Sequence, residues 1–178
     1  QVITGRNDIK QVLDPTFLLD RDIWKQMAIY PELDRPYLLL FTLGFSKEML
    51  VYAKRLAKES GLLLVVLTQR QPTCKDGSYM AIRDAGPKDF LGYIARAKMV
   101  ITDSFHCTVF SLILETGNFY TYISPNSNRG SRIEDLLANF SLSNHIIFNY
   151  DLRFADLQQN SIDYDKVLNI IEKDRVIS

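Results

Sequence analysis

Cysteine and histidine are scarce. Cys74 and Cys107 form no CxxC pair, and His106 and His145 add no recognisable ligand spacing, so a zinc site is not legible in the chain. The same scarcity excludes a disulfide-stapled scaffold and fits a reduced, cytoplasmic protein. An excess of either charge is missing too: 21 Lys+Arg balance 21 Asp+Glu. The electrostatic footprint of a nucleic-acid binder is therefore absent, and any anion site must be local. No apolar run approaches the roughly 18 residues of a membrane-spanning helix, no signal peptide opens the chain, and there is no internal repeat, low-complexity tract or long charge block. What remains is an ordinary globular composition, 47% hydrophobic and 24% charged over 178 residues. That is one domain's length, enough to bury about 70% of the unfolded surface. The chain opens at Gln1 without an initiator methionine, and the expectation is a piece of a longer protein.

From Tyr37 onward, short apolar runs alternate with stretches of helical period. Residues 37–42 are continuously apolar, as in a strand covered on both faces. Leu50, Ala53, Leu56 and Ala57 then recur at helical spacing and stop at Ser60–Gly61, a C-terminal glycine signal. Residues 62–67 repeat the strand signature, and a polar connection reaches to about Gly86. Pro87 suits the first turn of a helix carrying Phe90, Leu91, Ile94 and Ala95. Residues 98–102 read as a strand, and Asp103–Ser104 as the cap of a helix with Phe105, Val109, Leu112 and Ile113, ended by Thr116–Gly117. Residues 119–123 are strand-like, and Ser131 with Glu134 has capping-box spacing. Residues 146–148 form a last short apolar run, followed by a helical stripe of Tyr164, Val167, Leu168 and Ile171. Strands alternating with helices predict an α/β fold, a Rossmann-like parallel sheet with helices on both faces. Residues 1–36 form a separate linking segment, anchored by Phe17–Leu18–Leu19 and Trp24, ahead of an α/β body at 37–178.

Ligands of open parallel sheets bind at the carboxyl ends of strands, beside helix N-termini. Four loops qualify: 44–46, 69–72, 103–106 and 124–132. In the third, Asp103, Ser104 and His106 open an otherwise apolar helix. Two readings stand: His106 is a general acid tuned by a bound anion, or Asp103 and Ser104 are simple caps and His106 a half-buried surface residue. In the fourth, Arg129, Gly130, Ser131 and Arg132 offer guanidinium forks for carboxylate or phosphate, or else a solvated loop. Arg83, near Gly86, carries the same two readings. Asp14 and Asp34 read as turn caps, His145 as part of a surface turn, Trp24 as an apolar anchor, and both cysteines as small buried residues.

Taken in order, residues 13–19 (LDPTFLL), the strand at Tyr37, residues 85–91 (AGPKDFL), residues 97–106 (AKMVITDSFH) and residues 131–137 (SRIEDLL) resemble the polysaccharide pyruvyl transferase family. The Asp-Ser-Phe-His element between the Gly-Pro and Ser-Arg elements is the most specific part. The resemblance implies transfer of the enolpyruvyl skeleton of phosphoenolpyruvate to two hydroxyls of a sugar in a polysaccharide or its lipid-linked precursor, closing a pyruvate ketal. It implies the C-terminal half of a two-domain enzyme similar to GT-B glycosyltransferases. It places the general acid on His106 and the substrate contacts on Ser104, Arg132, Asp103, Ser131 and Gly86. The scheme needs no metal or other cofactor, with phosphoenolpyruvate as donor substrate. It also implies work in the cytoplasm, at the inner membrane surface, in surface-polysaccharide assembly.

Two departures accompany the resemblance. Cys107 stands where the family usually has glycine, which limits close backbone approach to a ligand. Residues 142–147 (LSNHII) stand where an arginine is often found, and His145 replaces it only in part and according to pH. The expectation is that the 178 residues alone lack turnover, because the acceptor-facing half of the cleft is missing. Two other readings remain in play. One is the nucleotide-sugar-binding half of a GT-B glycosyltransferase, which would be protected by a nucleotide diphosphate. The other is a non-catalytic binding module, whose role would survive His106→Ala.

Overall fold

The computed structural model describes residues 12–44, 46–67, 77–124 and 130–176. The loop 69–72, Phe45, Cys74, Asn128 and Arg129 lie outside them.

Six strands form one sheet: β1 (Tyr37–Phe41), β2 (Leu63–Leu67), β3 (Met80–Ile82), β4 (Met99–Thr102), β5 (Phe119–Tyr122) and β6 (Ile146–Ile147). Their order is β3-β2-β1-β4-β5-β6, and each neighbouring pair is parallel. The chain builds outward from β1 to β3, then crosses back to lay β4 on the other side of β1. The seam between β1 and β4 is thus the topological switch point, where two successive connections leave in opposite directions and open a crevice above the carboxyl ends.

The strands are apolar on both sides because both faces are covered. Leu38, Leu40, Leu64 and Val66 pack with Met49, Tyr52 and Leu56 of α2 (Lys47–Ser60). On the opposite face, Leu39, Val65 and Val100 meet α3 (Pro87–Arg96), α4 (Phe105–Ile113), α5 (Ser131–Asn139) and α7 (Tyr164–Arg175). Two shorter helices complete the fold, α1 (Arg21–Met27) and α6 (Phe154–Leu157). Helix ends follow local chemistry. The Ser46 hydroxyl accepts the Met49 N–H at 3.1 Å, and Gly61 ends α2 at φ +68°, a conformation that glycine adopts without strain. The Asp89 carboxylate accepts the Gly86 N–H at 2.9 Å at the start of α3.

The N-terminal segment is clamped to this body. A 3-10 turn at Pro15–Leu18 buries Phe17 completely, its ring centroid 5.7 Å from that of Phe140. Arg175 of α7 donates from Nε to the Phe17 carbonyl at 2.6 Å, from one amino group to the Leu19 carbonyl and from the other to Asp20. Trp24 packs edge-on against Phe110 at 4.9 Å and donates its indole N–H to the Thr16 carbonyl. Trp24 is an anchor as expected, but Leu18 and Leu19 are exposed, since a single 3-10 turn points only one of the three apolar side chains inward.

Three further expectations change. The polar connection before Gly86 contains β3, a three-residue strand at the sheet edge that is too short to show a period. The capping box at Ser131 does not form: helical geometry already begins at Gly130, so Ser131 is the first helical residue and no side chain caps α5. His145 is not in a surface turn but fully buried. Its imidazole stacks on Tyr120 at 5.0 Å and donates from Nδ1 to the Phe119 carbonyl at 2.8 Å, while Nε2 is buried without a hydrogen-bond partner.

Burial holds the His145 pKa below its ordinary value, against the smaller opposing effect of the Phe119 carbonyl. The unfolded chain therefore takes up a proton near pH 6.5 while the folded chain resists it, so stability is intact above that value and falls as pH drops toward the folded pKa. Urea unfolding between pH 7.5 and 5 should give a decline approaching about 1.4 kcal/mol per pH unit from this group. In His145→Asn, whose amide keeps a donor for the carbonyl, that component should vanish. Equal slopes in the two proteins would contradict it.

Candidate functional site

The switch point is closed from below by side chains that the sequence singled out. The Leu43 N–H, just past β1, donates to Asp103 Oδ1 just past β4 at 2.8 Å, so Asp103 ties the two strand ends together. Burial pushes the Asp103 carboxyl pKa up, and the Leu43 N–H opposes that rise. Ser104 is buried, and its hydroxyl accepts the Cys107 N–H as the cap of α4. One turn on, the Thr108 hydroxyl donates to the Ser104 carbonyl at 3.0 Å and lies 2.7 Å from the Thr121 hydroxyl. With its one proton used, Thr108 must accept from Thr121. The polar atoms beneath the loop thus satisfy one another and fix its backbone.

Cys107 points into this core. It is fully buried, and burial pushes its thiol pKa to about 12, so it is a packing group and no nucleophile at neutral pH. Its side chain therefore does not fill the space above the loop. His145, by contrast, has no route to a ligand at the strand ends, so the partial replacement of an arginine expected of it does not occur.

Above the loop, the first turn of α4 presents Phe105 and His106 outward. Arg132 of α5 lies over the Phe105 ring, its guanidinium carbon 4.0 Å from the centroid, a contact that holds the flexible side chain in one place. The two residues border an open cleft of about 570 Å³, lined also by Val12, Asp14, Asp135, Asn139 and Asp174. His106 stands beside it, with Nε2 3.8 Å from Asp14 Oδ2. The cleft therefore has a cation and an aromatic face against carboxylates from three elements, with an imidazole next to it.

The structure thus brings together His106 and Arg132, keeps Asp103 and Ser104 underneath, and leaves Ser131 exposed at the start of α5. Gly86 lies elsewhere. It lines a separate hollow of about 310 Å³ over the ends of β1, β2 and β3, with Phe41, Leu67, Ile82 and Arg83. The sequence alone marks Asp14 only as a turn cap and gives no sign that it joins the acidic members of this cleft. Arg132, Asp135 and Asn139, however, share the i, i+3, i+7 spacing of one helix face, opposite buried Ile133 and Leu137, and that polar stripe was a usable signal.

The family model for polysaccharide pyruvyl transferase matches residues 3–125, which include Asp14, Gly86, Asp103, Ser104 and His106 but not Ser131 or Arg132. No curated protein sequence matches. Among solved structures, the glycotransferase of kitacinnamycin superposes with a TM-score of 0.59 at 9% identity, over 84% of this chain and 42% of that one. A spinosyn forosaminyltransferase superposes with a TM-score of 0.50 at 14% identity, over 94% of this chain and 42% of its own. At such identities the likeness concerns the fold alone: a Rossmann-like half of the GT-B type. The chain spans under half the length of these two proteins.

Proposed function

Because the chain belongs to the polysaccharide pyruvyl transferase family, we propose that it is the donor-binding half of an enzyme that transfers pyruvyl from phosphoenolpyruvate to a sugar of a polysaccharide or its lipid-linked precursor. The observation that carries this reading is the placement of an exposed His106 at the first turn of α4, directly past the strand that borders the switch point. An anionic donor there meets the positive end of the α4 dipole and the Arg132 fork, two features that suit phosphate and carboxylate oxygens.

In this scheme His106 gives its proton to the donor's methylene carbon, which becomes a methyl group and leaves an oxocarbenium-like centre at C2. A sugar hydroxyl adds to C2. The bond from C2 to the phosphate oxygen then breaks, and phosphate departs with the electron pair. A second hydroxyl of the same sugar closes the ketal. Of the two hydroxyl protons, one restores His106 and the other leaves with phosphate or solvent. Arg132 offsets donor charge, with Ser131 beside it on α5. Asp103 and Ser104 act from below by holding the loop that carries His106, and Gly86 lines the separate hollow over the ends of β1, β2 and β3. The acceptor and the other wall of the cleft come from outside these 178 residues, and the reaction is placed in the cytoplasm at the inner membrane surface.

The test is a thermal-shift titration with phosphoenolpyruvate, with phosphate and UDP as controls, since a native-state ligand raises apparent stability by mass action. Saturable stabilisation by phosphoenolpyruvate beyond that by phosphate, lost in Arg132→Ala, is the expected result. Stabilisation by UDP alone would move the assignment to glycosyl transfer. Pyruvylation of a polysaccharide precursor by the complete protein is the companion assay, and its absence would refute the reading.

A further inference from the structure

Asp14 has a carboxylate with two separate tasks. Its Oδ1 caps the 3-10 turn, accepting from the Thr16 N–H at 3.1 Å and from the Thr16 hydroxyl at 2.7 Å. Its Oδ2 takes no part in that cap and faces His106 Nε2 across 3.8 Å. The two side chains differ in access as well. Asp14 is only 15% exposed, whereas His106 is 57% exposed beside the cleft. Pro15 follows Asp14, Phe17 is locked into the core, and Arg175 grips the Phe17 and Leu19 carbonyls, so the carboxylate is fixed with respect to α4. A rigid, sheltered carboxylate against one nitrogen of an accessible imidazole is the arrangement that orients a histidine while its other nitrogen stays open to a ligand.

We propose that Asp14 is the positioning residue of His106: its second oxygen holds Nε2 and turns Nδ1 toward the donor. The proposal rests on the pyruvyl-transfer reading. It gives the N-terminal segment a role beyond anchoring, since the segment delivers to α4 a group that the Rossmann-like body does not supply. The other charged groups lining the cleft are Arg132 and Asp135 on α5 and Asp174 on α7. Arg132 is held over the neighbouring Phe105 ring, and Asp174 accepts a hydrogen bond from the Asn139 amide at 2.9 Å.

The discriminating variant is Asp14→Asn. Asparagine caps as well as aspartate, so the turn survives while the charge opposite His106 is lost. Two readouts on the complete protein separate the pairing from the chemistry. The first is a double-mutant cycle of Asp14→Asn and His106→Ala on unfolding by urea. The coupling should be about two- to fivefold in the unfolding constant. The second is turnover with phosphoenolpyruvate and acceptor. Asp14→Asn should lower kcat about tenfold with KM for the donor nearly unchanged, and should have no further effect in the His106→Ala background. Absence of coupling overturns the pairing. Coupling with unchanged kcat overturns the positioning role. Coupling in a protein that transfers no pyruvyl group overturns the functional reading on which the proposal stands and leaves the ion pair itself established.

Discussion

Replacing His106 with alanine in the complete protein should lower kcat for pyruvyl transfer by about 10²–10⁴-fold, the usual worth of a positioned general acid. KM for phosphoenolpyruvate should change little, because donor charge falls to Arg132 and the α4 N-terminus rather than to the imidazole. The side chain is more than half exposed, and its polar contact is the facing Asp14 carboxylate, so its removal opens no cavity. Alanine is also the better helix former, which keeps the first turn of α4 intact. A fall in kcat far larger than the few-fold loss of stability from the missing Asp14 contact is therefore a statement about chemistry. Steady-state kinetics beside a thermal melt decide the matter. A variant within threefold of the parent protein would remove His106 from the reaction and favour a binding module that has kept the fold without the chemistry.

The body of the fold was legible in the sequence because its signals are local and repeated. Five of the six strands are apolar runs, and three helices of that body carry stripes with recognisable ends: Ser46 and Gly61 around α2, Pro87 opening α3, Ser104 capping α4. What escaped detection depends on partners far away in the chain. β3 is a strand only because β2 offers it an edge, three residues being too few to show a period. His145 looked like a polar residue between helix and strand, and nothing nearby in sequence says that Tyr120 and the Phe119 carbonyl are waiting for it. The site divides in the same way. His106 is announced by its own neighbours, whereas Asp14, 92 positions earlier, reads only as a turn cap until the fold brings its second oxygen opposite the imidazole. Ser104 and Asp103 are nominated correctly as residues of the loop, but spacing does not tell whether a hydroxyl at a helix start faces a ligand or its own third N–H. Here the hydroxyl oxygen accepts that N–H at 3.4 Å.

Gly92→Ala should destabilise the protein by about 3 kcal/mol, near the upper end of overpacking costs, although alanine at a helix interior ordinarily gains about 1 kcal/mol over glycine. Gly92 lies inside α3, where propensity alone would disfavour it. Its reason is across the interface. A Cβ built there overlaps the Ile29 carbonyl oxygen and stands 2.5 Å from the Ile29 carbonyl carbon and 3.0 Å from Tyr30 Cα. All three are backbone atoms, so no rotamer change relieves the overlap. The Ile29 N–H also donates to the Lys88 carbonyl at 2.9 Å, one turn earlier on α3, which pins the same stretch from a second side. Relief therefore requires the segment after α1 to lift off α3, which strains the Trp24 contact with Phe110 and loosens the clamp that presents Asp14. Trp24 is the chain's one tryptophan, so its emission reports this segment without labelling. Urea unfolding followed by fluorescence should give a lower midpoint for the variant, with Trp24 emission shifted to the red before the main transition. A variant as stable as the parent would mean that helix propensity outweighs the backbone contact, and that the N-terminal segment is held by Phe17 and Arg175 alone.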